Sequence, residues 1–323
     1  MTSFTAPRAL GRTGTEISSI TVGAAGWQRR ADGSGPTPEE TSALAREILA
    51  HPWITALDTS NNYGGGQSER RVGVALDDAG GIPPGFVLST KADRHGRTGD
   101  FSGERMRRSL EESLARLGID RFPLLFLHDP ENTTWSAATA HDGPVAALVQ
   151  ARDEGLIAHL GVSGGNCTML EEFVRLGEFE AVISHNRYTL VDRSAESLLE
   201  AAGEVGVGVF NAAPYGGGLL TAYPFWTARY AYGDAEPDVL RAATEFGEIA
   251  ARHGVDLGAV SLQFSLRDPR ITSTIVGMRT REDLRRTEAL VAAPVPEALW
   301  EEIASVRLDP GTWQDALIPW VRE

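Results

Sequence analysis

The chain is almost without lysine and cysteine. Of its 30 basic residues, 29 are arginine and one, Lys91, is lysine. Cys167 stands alone, which excludes an intramolecular disulfide and a cysteine-rich zinc site. Basic residues fall short of acidic ones, 30 against 44, for a formal net charge of -14. That balance speaks against a nucleic-acid partner, because binding a polyanion needs a basic face. No stretch approaches the ~18 consecutive apolar residues of a membrane span. The opening MTSFTAPRALGRTG lacks the apolar centre of a signal peptide. No G-x-G-x-x-G follows the first candidate strand, and there is no Walker A motif. The seven histidines show no metal-ligand spacing on one element. There is no internal repeat, low-complexity tract or dividing linker. These absences predict a cytoplasmic, metal-free protein whose residues 1–323 form one domain acting on small molecules.

What is present is an alternation. Short apolar runs rich in β-branched residues recur, with longer helical patterns between them. The candidate strands are Ser19–Ala24, Thr55–Thr59, Phe86–Lys91, Leu124–His128, Ala158–Ser163, Ala181–Asn186, Val207–Ala212 and Ser273–Gly277. Near-continuous runs such as FVLST and LLFLH suit strands buried on both faces, as in parallel sheets. Eight such strands in α/β order predict a (β/α)8 TIM barrel, with a doubly wound open sheet as the alternative. Arg8–Thr21, around Gly11 and Gly14, reads as an N-terminal β-hairpin. Thr37-Pro38-Glu39-Glu40 offers a helix cap, an N-terminal proline and a capping-box glutamate. Leu110, Leu114 and Leu117 form one apolar stripe ahead of Gly118, a natural helix terminator. Glu297–Val306 reads as a late helix packing Leu299, Trp300 and Ile303. Thr221–Pro237 is an aromatic insertion after the seventh strand, at the mouth where barrels bind substrates.

Four ionisable residues fall at consecutive strand ends. Asp58 ends the second strand, Tyr63 follows in DTSNNYGGG, Lys91 ends the third and His128 the fourth. A parallel barrel brings those ends to one mouth. A tyrosine hydroxyl near its ordinary pKa of ~10 is a poor proton carrier at neutral pH. A neighbouring ammonium favours tyrosinate, and a carboxylate fixes that ammonium. Arginine presents a planar fork and cannot replace the compact ammonium. A histidine beside them hydrogen-bonds and orients a substrate oxygen. This set suits proton transfer at an oxygen whose carbon exchanges a hydride.

LDTSNNYGGGQSE, FVLSTK, LLFLH, GVSGGN, AAPYGGGLL and STIVGMRTREDL together resemble the aldo-keto reductase superfamily. RYTLVDRSA, FNAAPYGGGLL and PVPEALWEEI are similar to its aldose 1-dehydrogenase branch, which includes L-fucose, D-threo-aldose and L-galactose dehydrogenases and a pyridoxal 4-dehydrogenase. The resemblance implies that Tyr63 is the general acid/base, Lys91 its pKa-lowering partner, Asp58 the anchor of Lys91 and His128 the orienting group. It implies NAD(P)-dependent hydride transfer to or from an aldose C1, giving a lactone, or a carbonyl carbon. Ser163, with Asn166 nearby and Asn186 beyond, would hold the nicotinamide carboxamide. Ala212 stands where many reductases stack a tyrosine on that ring. Gly217, Gly218 and Leu219 would line the pyrophosphate, and Gly277, Met278, Arg279 and Thr280 the adenosine end. Trp27 falls where the family often has a substrate-side residue, and is equally suited to packing.

Arg279, Arg281, Arg285 and Arg286 suit a 2′-phosphate clamp, or a solvated helix face balanced by Glu282, Asp283 and Glu288. Gly277 and Asp283 replace the lysine and arginine of the family's usual NADP signature. The expectation leans to NADP(H) over NAD(H). Three rival functions stand beside the dehydrogenase: a general aldehyde or ketone reductase, a non-catalytic cofactor-binding subunit, and a lyase using Lys91 as a Schiff-base nucleophile.

Overall fold

A computed structural model describes residues 4–30 and 32–322. Eight strands run parallel: β1 (Ile20–Gly23), β2 (Ala56–Asp58), β3 (Val87–Ala92), β4 (Phe122–His128), β5 (Ile157–Gly164), β6 (Ala181–His185), β7 (Gly208–Ala212) and β8 (Ser273–Gly277). Each expected strand is present, with ends differing by at most two residues. β8 pairs with β1, Thr274 opposite Ile20 through Gly277 opposite Gly23, so the sheet closes into a barrel and the open-sheet alternative falls away.

Alternation along the strands sorts their side chains between two apolar layers. Val22, Leu57, Leu88, Leu125 and Val162 face outward and pack with the surrounding helices. Ala56, Val87, Leu124, Phe126, Ile183 and Phe210 form a second cluster in the barrel interior. Leu10 and Ile17 of the predicted hairpin, Arg8–Ala9 paired with Glu16–Ile17, join that inner cluster. The same parity decides the chemistry. Asp58 lies two residues beyond Ala56, Lys91 four beyond Val87 and His128 two beyond Phe126, so all three turn inward at the C-terminal rim.

The helices follow their punctuation. Thr37 and Glu40 form a reciprocal capping box on Pro38–Leu49. Gly103–Leu117 ends at Gly118 in the left-handed conformation (φ 67°). Glu297–Ser305 buries Leu299, Trp300 and Ile303. The aromatic insertion becomes a short hairpin, Arg229–Tyr230 against Gly233–Asp234. Among the described residues, no helix is long and apolar enough to cross a membrane.

Candidate active site

Lys91 lies at the centre of the rim, 2% exposed. Its Nζ donates to Asp58 Oδ2 at 2.6 Å, to the Thr59 carbonyl at 2.7 Å and to the Tyr63 hydroxyl at 3.1 Å. An ammonium has three protons, and all three are committed. Asp58 Oδ1 also accepts from Ser89 Oγ at 2.8 Å. Burial opposes the charge on Lys91, but Asp58 and Tyr63 outweigh it and raise its pKa. A saturated, firmly charged ammonium is no amine nucleophile, which argues against the Schiff-base alternative. Tyr63 departs from the simplest expectation. Lys91 does pull its pKa down, but burial is the larger effect and pushes the hydroxyl up to about 12. Tyr63 therefore rests protonated.

His128 faces Tyr63 edge-on, ring centroids 6.0 Å apart at 81°. Its Nδ1 lies 2.6 Å from Asp93 Oδ1, a partner that sequence reasoning did not single out. Burial opposes the imidazolium, yet Asp93 raises the pKa of His128 above its ordinary value. His185 was assigned no role from sequence, but it shares the inward parity of Ile183 at the end of β6. Burial, aided by the charge of Arg187, pushes it down to about 3. One rim thus holds two imidazoles driven in opposite directions.

The loop that carries Tyr63 is fixed from behind. Gly64, Gly65 and Gly66 all take positive φ (61°, 62° and 83°), a turn that other residues resist. A Cβ at Gly66 would lie 2.5 Å from the Arg116 guanidinium carbon. Arg116 donates to the Asn61 carbonyl at 3.0 Å and to buried Glu69 at 3.2 Å. Glu112 accepts from Asn61 Nδ2 at 3.1 Å and from both terminal nitrogens of Arg105 at 2.8 Å. The glycine triplet was a sequence signal for this turn. The arginines and glutamates behind it looked like ordinary helix charges.

The model of the Aldo/keto reductase family matches residues 19–307. The chain belongs to that family. It is an NAD(P)-dependent oxidoreductase. It is 31% identical over 292 residues to D-threo-aldose 1-dehydrogenase of a Pseudomonas species, covering 81% of this chain and 88% of that one. It is 30% identical over 291 residues to L-galactose dehydrogenase of Arabidopsis thaliana, covering 88% and 87%. Pyridoxal 4-dehydrogenase of Microbacterium luteolum is 25% identical over 339 residues, covering 92% and 96%. The holo form of aldo-keto reductase AKR11C1 from Bacillus halodurans shares the fold, with a TM-score of 0.76, 21% identity and coverage of 96% and 98%.

The residues that could hold a nicotinamide lie at the same rim. Ser163, one residue before the end of β5, lies on the inner face directly opposite His128. Its hydroxyl makes no hydrogen bond among the described residues. Asn186 is buried with φ 59°, and its Oδ1 has no partner. A carboxamide presents one acceptor and two donors, which suits a hydroxyl donor and an orphaned amide oxygen. Asn166 is spent differently. Its Oδ1 caps the helix Cys167–Arg175 and its Nδ2 donates to the Ile318 carbonyl.

Of the two readings open for it, substrate side or packing, Trp27 fits packing. It is 0% exposed, and its indole donates to the Met278 carbonyl. Met278 is itself buried, so only its backbone is available. Gly277 is exposed at the rim, and Thr280 caps the helix Arg281–Ala292. Asp283 completes that capping box and also accepts the backbone N–H of Arg279 at 2.8 Å and Thr280 at 3.2 Å. Arg281 pairs with Glu47, Arg286 lies 3.4 Å from Asp256 and Arg285 3.8 Å from Glu282. Of those three, only Arg285 is balanced within the helix face as expected. Arg281 and Arg286 are balanced by carboxylates of other elements, and Glu288 lies 3.1 Å from His51 instead. Arg279 is 67% exposed and lies 3.8 Å from Asp283.

The glycines after β7 have close neighbours. A Cβ at Gly217 would lie 2.6 Å from the Ala231 carbonyl, and one at Gly218 2.6 Å from the Trp226 ring. The Gly218 N–H donates to the Tyr215 carbonyl, and the Leu219 side chain is buried. The insertion's aromatics divide by task. Tyr230 is buried and donates to the Asn186 carbonyl at 2.8 Å, fixing that residue. Trp226 and Tyr232 stay 70% and 75% exposed, and Tyr232 meets His185 edge-on at 5.7 Å. The C-terminal tail was silent in sequence. Its Asp315 accepts from Cys167 N at 2.7 Å and pairs with buried Arg187 at 3.0 Å.

Proposed function

We propose that this enzyme oxidises an aldose in its ring form at C1 to a lactone, with Tyr63 as the group that carries the proton of the anomeric oxygen. The commitment of all three Lys91 protons to Asp58, Thr59 and Tyr63 carries this reading. The nicotinamide, when bound, supplies the hydride acceptor, or the donor in the reverse direction, and in its oxidised form a positive charge. Ser163 and Asn186 are the residues suited to hold its carboxamide. In reduction the protonated Tyr63 gives its proton to the substrate oxygen, and Lys91 stabilises the tyrosinate left behind. In oxidation Tyr63 must first release its resting proton to solvent, which Lys91 and the positive charge of the oxidised nicotinamide would favour, and the tyrosinate then takes the hydroxyl proton. Asp58 keeps Lys91 charged and in place. His128 hydrogen-bonds the same substrate oxygen. The 31% and 30% identities to two sugar dehydrogenases support an aldose over a simple carbonyl compound.

On the cofactor, the charges around Thr280 shift the expectation from NADP(H) to NAD(H). Asp283 already holds the amides of residues 279 and 280, and its carboxylate would repel a 2′-phosphate there. Gly277 and Gly217 would offer backbone rather than side chains, whereas the Gly218 N–H is already given to Tyr215. The deciding experiment is the initial rate of nicotinamide reduction with NAD and NADP across L-fucose, L-galactose, D-arabinose and pyridoxal. Turnover of one sugar with NAD is expected. No oxidation, with brisk reduction of 4-nitrobenzaldehyde, would instead make the enzyme a general carbonyl reductase.

A further inference from the structure

We propose that Asp93 is a positioning residue for the reaction, orienting His128 through Nδ1 and keeping its ring charged so that Nε2–H serves the reacting oxygen. This rests on the reading that Tyr63 and His128 share that oxygen.

Asp93 lies two residues beyond Lys91 and is 4% exposed. Its Oδ1 holds His128 Nδ1 at 2.6 Å. Its Oδ2 accepts from Ser60 Oγ at 2.5 Å and from the Asn62 N–H at 3.0 Å. Its backbone is pinned as well, by Ser109 Oγ on the N–H and Arg105 Nε on the carbonyl. Among the described residues, no lysine or arginine forms an ion pair with this carboxylate; His128 does. Arg105 lies near enough to interact with Asp93, but it is paired to Glu112. The ion-pair partner in contact with the Asp93 carboxylate among the described residues is His128, its counter-charge.

An ionised carboxylate only accepts hydrogen bonds, so Nδ1 must carry a proton. The free choice is then at Nε2. The groups that face the ring settle it. Asp93 and Asp129, the latter 3.5 Å from Nε2, are acidic, and Glu131 lies close enough to act on the ring. Lys91 is the opposing cation, but Asp58 already neutralises it. Tyr63 rests protonated and His185 rests neutral. The balance is negative and favours imidazolium.

A charged ring has a specific use. Hydride entry places negative charge on the carbonyl oxygen, and in oxidation the same charge arises as the hydroxyl gives up its proton. The transition state is shared, so a preorganised N–H cation stabilises it in either direction. No extra bond is made or broken, because Tyr63 still carries the transferred proton. The raised His128 pKa means that the cation survives to higher pH than in a free imidazole. Removing the Asp93 charge must bring its loss to lower pH.

The test is Asp93→Asn in the full chain. Asparagine can still accept from Nδ1–H, so the change removes charge more than shape. With 4-nitrobenzaldehyde and NADH or NADPH, kcat/KM at pH 8 should fall roughly tenfold or more. The alkaline limb of its pH profile should move to lower pH. The Kd for reduced cofactor, read by protein fluorescence quenching, should change less than twofold. A pH profile superimposable on that of the parent overturns the proposal. A second measurement needs neither turnover nor a folded variant: titration of the His128 ring by 15N-histidine NMR in the cofactor-loaded parent. Titration above the ordinary imidazole value is expected, and titration at or below it overturns the proposal. Tyr63→Phe separates the two layers. If it stays active, the proton-carrier reading fails. If it is dead while Asp93→Asn keeps the parent profile, only the role of Asp93 fails.

Discussion

Lys91 and Asp58 form an ion pair 2.6 Å apart, with 2% and 4% of their side chains exposed. The pair gives the only lysine of an arginine-rich chain a task that a planar guanidinium cannot take. In the proposed mechanism its burial also couples catalysis to stability. Breaking such a pair leaves a lone buried charge, at a cost of about 3–5 kcal/mol.

Lys91→Met should therefore abolish turnover and lower stability together. Asp58→Asn added to it removes the stranded carboxylate. The double variant should recover most of the lost stability by chemical denaturation and none of the turnover. Recovery of activity in the double variant would mean that Lys91 is structural.

Glu112 gives a pH prediction for stability. The Arg105 hydrogen bonds, helped by Asn61 and Arg116, pull its pKa from 4.5 to about 2. A lowered carboxyl pKa stabilises the fold above the unfolded value and loses that contribution as pH falls through the folded one. Glu112→Gln should thus lower the Tm at pH 7. The gap to the parent should shrink as pH falls from about 4.5 to about 2. A gap that is constant over that window would show that the charge is not the source.

The barrel and the four rim residues were legible because both depend on local pattern. Strand parity is a two-residue rule, and it carries Asp58, Lys91 and His128 inward once the strands are placed. Asp93 was not legible. Its contact with His128 spans 35 residues and joins a loop to the end of a strand. The docking of Asp315 on the helix Cys167–Arg175, 148 residues away, had no sequence signal either. Trp27 was open between two readings for a different reason: its place after β1 suited substrate or packing equally, and the contact with Met278 across the barrel seam that fits packing has no local signal.

Cofactor choice should respond to one carboxylate. Asp283→Ala frees the amides of residues 279 and 280 and leaves Arg279 unopposed. The ratio of kcat/KM for NADP over NAD should rise by roughly tenfold, one ion pair's worth. An unchanged ratio would move the 2′-phosphate site away from Thr280.

The tail should behave as part of the fold. Asp315→Ala strands the buried guanidinium of Arg187 and uncaps Cys167, and should lower stability by about 1–3 kcal/mol. Urea denaturation reads this directly, and an unchanged midpoint would place the tail off the barrel.

The proposed proton carrier, Tyr63, is tested by the turnover of Tyr63→Phe with cofactor binding measured alongside. A fall in kcat of roughly 10²–10⁴-fold is expected, with the cofactor Kd unchanged. Activity within tenfold of the parent would contradict it and assign the proton to His128.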